Sequence, residues 1–289
     1  MKKLLTIVLS LLTCNLFAQV NLDYEICNME CTSVTVGKKA SKDGSVMTSH
    51  TDDSGRSRTN IKVEPAADHA PGEMMPLYKR VACKPDTNPM PSYCYEYTGS
   101  IPQVAHTYQF LNTAYPCMNE HQLAIGESTF GGRGELRSSE GLIDCQTLCI
   151  LMLQRCTTAR DAIRTAGELL KEYGWCDGGE CLTIADKNEV WHLEIVGPGK
   201  GKKGAVWAAQ RVPDDHVAVN ANASTIREIN LKDKDYFMAS DNVFSVAEEN
   251  GWYDKKKETT RRFQPSWAGA VVFPPKKWSV MMMPSKPRE

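Results

Sequence analysis

Much of what the 289-residue sequence lacks is informative. Beyond residue 18 no stretch is long and apolar enough to cross a bilayer as a helix. Charge of one sign is also missing: 34 Lys and Arg stand against 35 Asp and Glu, a net charge of −1. That balance gives no reason to expect nucleic acid or an anionic membrane as a partner. The one dense basic run, Lys255-Lys-Lys257, reads as a solvated face. Phe130-Gly-Gly-Arg-Gly134 lacks the Gly-x-Gly-x-x-Gly fingerprint and does not lead straight into a helix, so nucleotide binding is not expected. There is no His-Glu-x-x-His helix, and Cys145 and Cys149 are four apart in a helical segment rather than in a Cys-x-x-Cys knuckle. No metal and no cofactor are expected. Internal repeats and long low-complexity segments are absent too.

The amino-terminal end carries a targeting pattern. Lys2 and Lys3 precede the apolar run Leu4–Leu12, and Asn15-Leu-Phe-Ala18 offers a small residue for cleavage. Residues 1–18 therefore read as a signal peptide, and the chain is expected to be periplasmic or secreted. A lipoprotein signal ending at Cys14 is the weaker alternative, because Thr13 is a poor residue before a lipidated cysteine. Residues 19–30 read as a leader, 31–262 as the main domain and 263–289 as an atypical tail. That tail has no clear period, four prolines past Pro265 and the run Met281-Met-Met283, as if foreign to a shortened chain.

Eleven cysteines are present. If maturation exposes Cys31, nine remain: one nucleophile and eight able to pair in an oxidising compartment. Cys176 and Cys181 bracket a turn and are the first disulfide expectation; Cys83 and Cys94, flanking a proline-rich loop, are the second. The alternative is a set of buried free thiols, since cysteine packs as a small hydrophobe.

Thr32–Val36 and Ser45–His50 read as a hairpin around Lys42-Asp-Gly-Ser45. It would return His50, Asp52 and Asp53 to the end that carries Cys31. Residues 65–95 read as a surface excursion. His106–Asn112 and Gln122–Thr129 read as strands, Leu142–Leu153 and Ala159–Tyr173 as helices. Four strands follow, at Cys181–Ala185, Val190–Val196, Ala205–Arg211 and Val217–Asn220, then a helix near Ser240–Asn250. Strands, helices, then strands predict an α+β layered fold.

A cysteine a dozen residues past a signal cleavage point can become residue one. Its thiol would then be the nucleophile and its own α-amine the base. The two groups have ordinary pKa values of about 8.5 and 7.7–8.0, so proton transfer between them is easy. The run Cys31-Thr-Ser-Val-Thr-Val-Gly-Lys-Lys-Ala-Ser-Lys-Asp-Gly-Ser45 to Asp53 resembles the start of dipeptidases of the dipeptidase A type. These are cysteine-dependent N-terminal-nucleophile hydrolases related to penicillin V acylase and bile salt hydrolase. Met118-Asn-Glu-His-Gln-Leu-Ala-Ile-Gly-Glu-Ser-Thr129 and Arg211-Val-Pro-Asp-Asp-His-Val-Ala-Val-Asn-Ala-Asn222 resemble two further family segments. The likeness covers about residues 31–262.

The resemblance implies a four-layer αββα sandwich, truncated here at its C-terminal end, and hydrolysis of short peptides from the free amino end. It implies Cys31 as nucleophile, Asp53 as binder of its amine and Asn222 in the oxyanion hole. Glu127 and Ser128 would line the substrate pocket, with Glu127 gripping the substrate's ammonium. His50 stands where the related acylases carry arginine, and histidine is only partly charged at pH 7. A small peptide is the expected partner, and a homo-oligomer is open. Three other readings compete. An N-acyl amide hydrolase is disfavoured by Glu127-Ser-Thr129, since an acylase needs no carboxylate for a substrate amine. A truncated, non-catalytic exported fragment is the second. A metal hydrolase using His50, Asp52 and Asp53 is the third, though these residues do not share one strand face.

Overall fold

The computed structural model describes residues 30–53, 61–82, 93–227, 229–253 and 282–284. The expected signal, all of the leader but Glu30, and all of the tail but three residues lie outside this set. The strands are β1 (Glu30–Val36), β2 (Met47–Asp53), β3 (Lys62–Glu64), β4 (Ala67–Asp68), β5 (Met74–Ala82), β6 (Tyr93–Pro102), β7 (His106–Thr107) and β8 (Phe110–Asn112). They continue with β9 (Met118–Asn119), β10 (Ala124–Gly131), β11 (Gly179–Ala185), β12 (Val190–Val196), β13 (Val206–Arg211), β14 (His216–Ala221), β15 (Phe237–Ala239) and β16 (Met282–Pro284). The helices are α1 (Cys145–Arg155), α2 (Ala159–Tyr173) and α3 (Val243–Glu249).

Two antiparallel sheets carry the architecture. One has the order β16-β14-β1-β2, the other β15-β13-β12-β11-β10-β9-β8-β3. They meet where β1, β2 and β14 pack on β10 and where β2 also packs on β11. Helix α2 packs against β11 and β12, α3 against β13, and α1 against α2 and β5. Sheet on sheet with helices outside is an α+β arrangement, as the order of elements predicted.

The helices form for different reasons. Nearly all of α1 is buried, and its N-cap Asp144 accepts the Thr147 amide at 2.9 Å. In α2, apolar residues recur on one face, Thr158 caps the start through the Asp161 amide, and Gly174 ends it at φ 79°.

Residues 65–95 are not a mere surface excursion. They include β5 and the start of β6, which pair from Met74↔Pro102 to Ala82↔Tyr93. Leu77 and Ile101 of this hairpin are buried in the main core with Leu148, Leu151 and Met152 of α1. Each such side chain contributes about 1.5–3 kcal/mol on burial, which outweighs the turn-forming tendency of the flanking prolines. The Arg80 amide donates to Asp144 and the Thr147 hydroxyl to the Tyr78 carbonyl, which fastens β5 to the start of α1.

The expected disulfide between Cys176 and Cys181 does not form; both cysteines are free and buried. Gly179 is already the first residue of β11 and paired with Gly131, so Asp177-Gly-Gly179 runs into a strand instead of reversing. Cys145, Cys149 and Cys156 are free and buried as well, and Cys117 is free and half-buried, so free thiols replace most of the pairing expected. Cys94 is disulfide-bonded; Cys83 lies outside the described residues.

Candidate active site

Strand β1 pairs with β2 on one side and β14 on the other. Cys31 stands opposite Asp52, Glu30 opposite Asp53, and Thr32 opposite Ala221. Side chains alternate along β1, so Cys31, Ser33 and Thr35 face the large sheet and are all buried. Small polar groups fill the space between the sheets, and each finds a partner across it. Ser33 donates to the Glu127 carbonyl at 3.2 Å, Thr48 meets Thr183 at 2.7 Å, and Thr35 bonds His192 Nε2 at 3.1 Å. At Gly126 a side-chain carbon would come within 2.6 Å of Thr183 Oγ1, so the approach of the sheets requires glycine there.

This polar layer has a pH signature. Burial pushes the pKa of His192 down from 6.5 to about 4. Below pH 6.5 the unfolded chain takes up a proton there that the folded chain refuses. Stability should therefore fall as pH drops from 6.5 toward 4, by about 3 kcal/mol from this residue. His192→Gln removes the titration. Urea unfolding of both proteins at pH 7.5 and pH 4.5 should show the variant gaining on wild type by 2–3 kcal/mol, roughly. A constant difference would mean that His192 protonates within the fold.

Three elements converge on Cys31. Its backbone nitrogen donates to Asn222 Oδ1 at 2.5 Å. Asn222 Nδ2 donates to the Thr129 carbonyl at 2.5 Å, and its backbone amide to Ser128 Oγ at 2.9 Å. Ser128 Oγ donates in turn to the Cys31 carbonyl at 3.4 Å. Asn222 thus clamps β1 to the end of β10, and it does so in the left-handed region, at φ 47°. A non-glycine residue held there is rare and clusters at functional sites. Beyond it, the buried carboxylate of Glu194 accepts from Ser224 Oγ, the Thr225 amide and hydroxyl, and the Ile226 amide. Four donors on one carboxylate fix the turn that presents Asn222.

The thiol of Cys31 is held well protonated. Burial pushes it up to about 11, the Glu127 and Asp52 charges add to that, and the backbone amides of Asp53 and Thr129 pull it partly back. His50 faces the interior from β2, and burial lowers its pKa, so it is neutral at pH 7 and supplies no fixed cation.

Two expected residues sit elsewhere than anticipated. Asp53 was expected to hold the Cys31 amine. It lies on the exposed face of β2 and its carboxylate accepts the Thr51 hydroxyl at 3.1 Å. Asp52, one residue earlier and so on the opposite face, is the carboxylate turned inward, and its Oδ2 is buried with no hydrogen-bond partner. The same alternation separates Glu127 from Ser128. Ser128 enters the Cys31 site, while Glu127 faces the α1 side, fully buried, with Thr129 Oγ1 on its Oε1 at 2.9 Å.

Glu127 has a companion that sequence reasoning missed. Glu180, opposite Thr129 in the ladder, is also buried. Each glutamate keeps a buried Oε2 with no ordinary donor. Burial and the neighbouring Glu127 charge raise the Glu180 pKa well above the usual carboxylate range, and burial raises that of Glu127 as well. Among the described residues no cluster of three or more His, Cys, Asp or Glu is arranged to hold a metal ion.

The chain was compared with known proteins. A family model described as Peptidase family C69 matches residues 30–281, starting one residue before Cys31 and running past the point near 262 where the likeness was expected to stop. A "Probable dipeptidase" of Latilactobacillus sakei is 31% identical over 221 residues, covering 74% of this chain and 43% of the relative. A "Probable dipeptidase B" of Lactococcus lactis subsp. lactis is 29% identical over 226 residues, covering 73% of this chain and 43% of the relative. A "Dipeptidase" of Bifidobacterium longum is 27% identical over 255 residues, 82% of this chain and 46% of the relative. The chain spans about half the length of the curated relatives it matches.

Proposed function

The chain belongs to peptidase family C69, and from that membership we propose that it is a cysteine dipeptidase whose nucleophile is Cys31. The reading is carried by one observation: Asn222, Ser128 and the Thr129 and Asp53 amides all converge on Cys31, at the strand position where the family match begins. The relatives named as dipeptidases point to short peptides as substrates. Export remains part of the proposal through the signal-like residues 1–18.

Maturation belongs to the same reading. Cys31 Sγ attacks the Glu30 carbonyl, and the peptide bond rearranges to a thioester as the Cys31 nitrogen takes a proton. Water then hydrolyses the thioester, the leader leaves with a carboxylate, and the thiol and a free α-amine remain. Before that step the thiol is disarmed, with its pKa near 11. Afterwards the nitrogen that donates to Asn222 Oδ1, opposite Asp52 in the ladder, would be an ammonium on the same residue as the thiol, and a positive charge so near favours the thiolate. The residue's own amine thus supplies the cation that neutral His50 does not. During hydrolysis the thiolate attacks the scissile carbonyl. The candidate donors to the developing oxyanion are the Thr129 amide, which now bonds the thiol, and Asn222 Nδ2, which keeps one hydrogen beyond its bond to the Thr129 carbonyl.

The substrate class is tested by comparing Ala-Ala, N-acetyl-Ala-Ala and penicillin V with the mature protein. A peptidase acting from the free amino end should cleave Ala-Ala and leave the acetylated form at least roughly tenfold slower, as expected for one lost charge-assisted hydrogen bond. Equal rates on the two peptides, or faster turnover of penicillin V, would move the N-acyl hydrolase reading to first place.

A further inference from the structure

Beyond the thiol, β10 and β11 lead to a cavity of about 330 Å³. Its wall includes Lys79 of β5, Arg137, and the hydroxyls of Thr98, Ser138 and Ser139. Lys79 Nζ donates to the Cys176 carbonyl at 2.9 Å, and no carboxylate pairs with Lys79 or Arg137 among the described residues. One acid also lines the cavity, Asp177. Its two oxygens are already taken by backbone amides, Oδ1 by Gly178 at 2.8 Å and Oδ2 by Cys145 at 3.2 Å. The three hydroxyls are engaged too: Thr98 donates to the Leu142 carbonyl, Ser138 to the Lys202 carbonyl and Ser139 to Glu140. The wall therefore holds two cations against one engaged anion, and its net charge is positive.

The cavity's position relative to Cys31 follows from the ladder. The Thr129 amide is at the sulfur, Thr129 stands opposite Glu180, Gly131 stands opposite Gly179, and Gly178 of the cavity wall is the next residue. Two to three strand residues cover roughly 7–10 Å. An extended peptide advances roughly 3.5 Å per residue. The carboxylate of a peptide leaving group one or two residues long would therefore come within reach of the lysine and arginine side chains.

We propose that this cavity is a subsite for the C-terminal carboxylate of the substrate, held by Lys79 and Arg137. The proposal rests on the dipeptidase reading for its ligand and deepens it: the enzyme would measure its substrate from both ends. A fixed cationic pair favours short peptides with a free carboxylate and discriminates against amidated or longer chains, whose carboxylate falls elsewhere.

The test has two arms on the full chain. In the first, calorimetry compares L-alanine, the leaving amino acid of Ala-Ala, with L-alaninamide. Wild type should bind alanine about ten- to a hundredfold tighter, the factor expected of charge-assisted hydrogen bonds. Lys79→Met and Arg137→Gln should each shrink that preference, and the double variant should lose it while binding alaninamide as before. In the second arm, kcat/KM for Ala-Ala over Ala-Ala-amide should show the same preference and the same loss. Unchanged preference in the double variant, or none in wild type, overturns the subsite. If wild type hydrolyses both peptides equally, the subsite fails and the dipeptidase reading stands. If neither peptide is cleaved but alanine binding still depends on Lys79 and Arg137, the subsite stands and the dipeptidase reading fails.

Discussion

Replacing Cys31 with alanine should lower kcat/KM on Ala-Ala by roughly 10⁴-fold or more, because removal of a nucleophile eliminates the acyl-enzyme path altogether. The fold should tolerate the change. Cys31 sits at 9% exposure between the sheets, and alanine keeps the strand and its backbone bonds to Asn222. Cys31→Ser should be almost as poor, since a hydroxyl beside an amine of pKa about 7.7–8.0 is far less ionised than a thiol. Circular dichroism and thermal unfolding close to wild type would show that chemistry and not folding has been lost. Activity within tenfold of wild type in either variant would remove Cys31 from the mechanism.

The second large effect concerns Asn222. It holds a left-handed conformation at φ 47° and uses its amide, carbonyl oxygen and side-chain nitrogen to bind Ser128, Cys31 and Thr129. Alanine is a poor probe here, because it keeps the Cβ in the left-handed region but loses the local hydrogen bonds that let asparagine adopt it. Glycine accepts the conformation and deletes only the side chain. Asn222→Gly should lower kcat by about 10²–10³, the usual loss for one oxyanion donor, with little change in KM. The thermal midpoint should move less for Asn222→Gly than for Asn222→Ala. If kcat stays within threefold of wild type in the glycine variant, Asn222 only positions the strand.

The hairpin bearing Cys31 was legible because its signals are local. β-branched residues at Thr32–Val36, the Asp43-Gly44 turn and strand arithmetic bring His50, Asp52 and Asp53 back to the end that carries Cys31, and the structure supplies the register that sets Asp52 across from it. The same holds for α2, whose period and caps lie within one segment. What escaped depended on faces or on distant contacts. The resemblance pointed to Asp53, but a period of two turns Asp52 inward and Asp53 outward. Glu127 and Ser128 diverge for the same reason. Glu180, Glu194 and His192 read as ordinary strand residues; only the stacking of two sheets makes them buried, and only burial makes their protonation matter. The disulfide expectation at Cys176 and Cys181 failed because nothing local distinguishes a reversing Gly-Gly from one that enters a strand.

The proposed chemistry requires Cys31 to become the first residue of the chain. Intact-mass spectrometry of the purified wild type and Cys31→Ala proteins tests this directly. Wild type should have the mass of a chain beginning at Cys31. Cys31→Ala should be heavier by the leader it can no longer remove, allowing for the substitution itself. Wild type retaining residues ahead of Cys31, or both proteins losing them alike, would contradict an autocatalytic amino-terminal nucleophile.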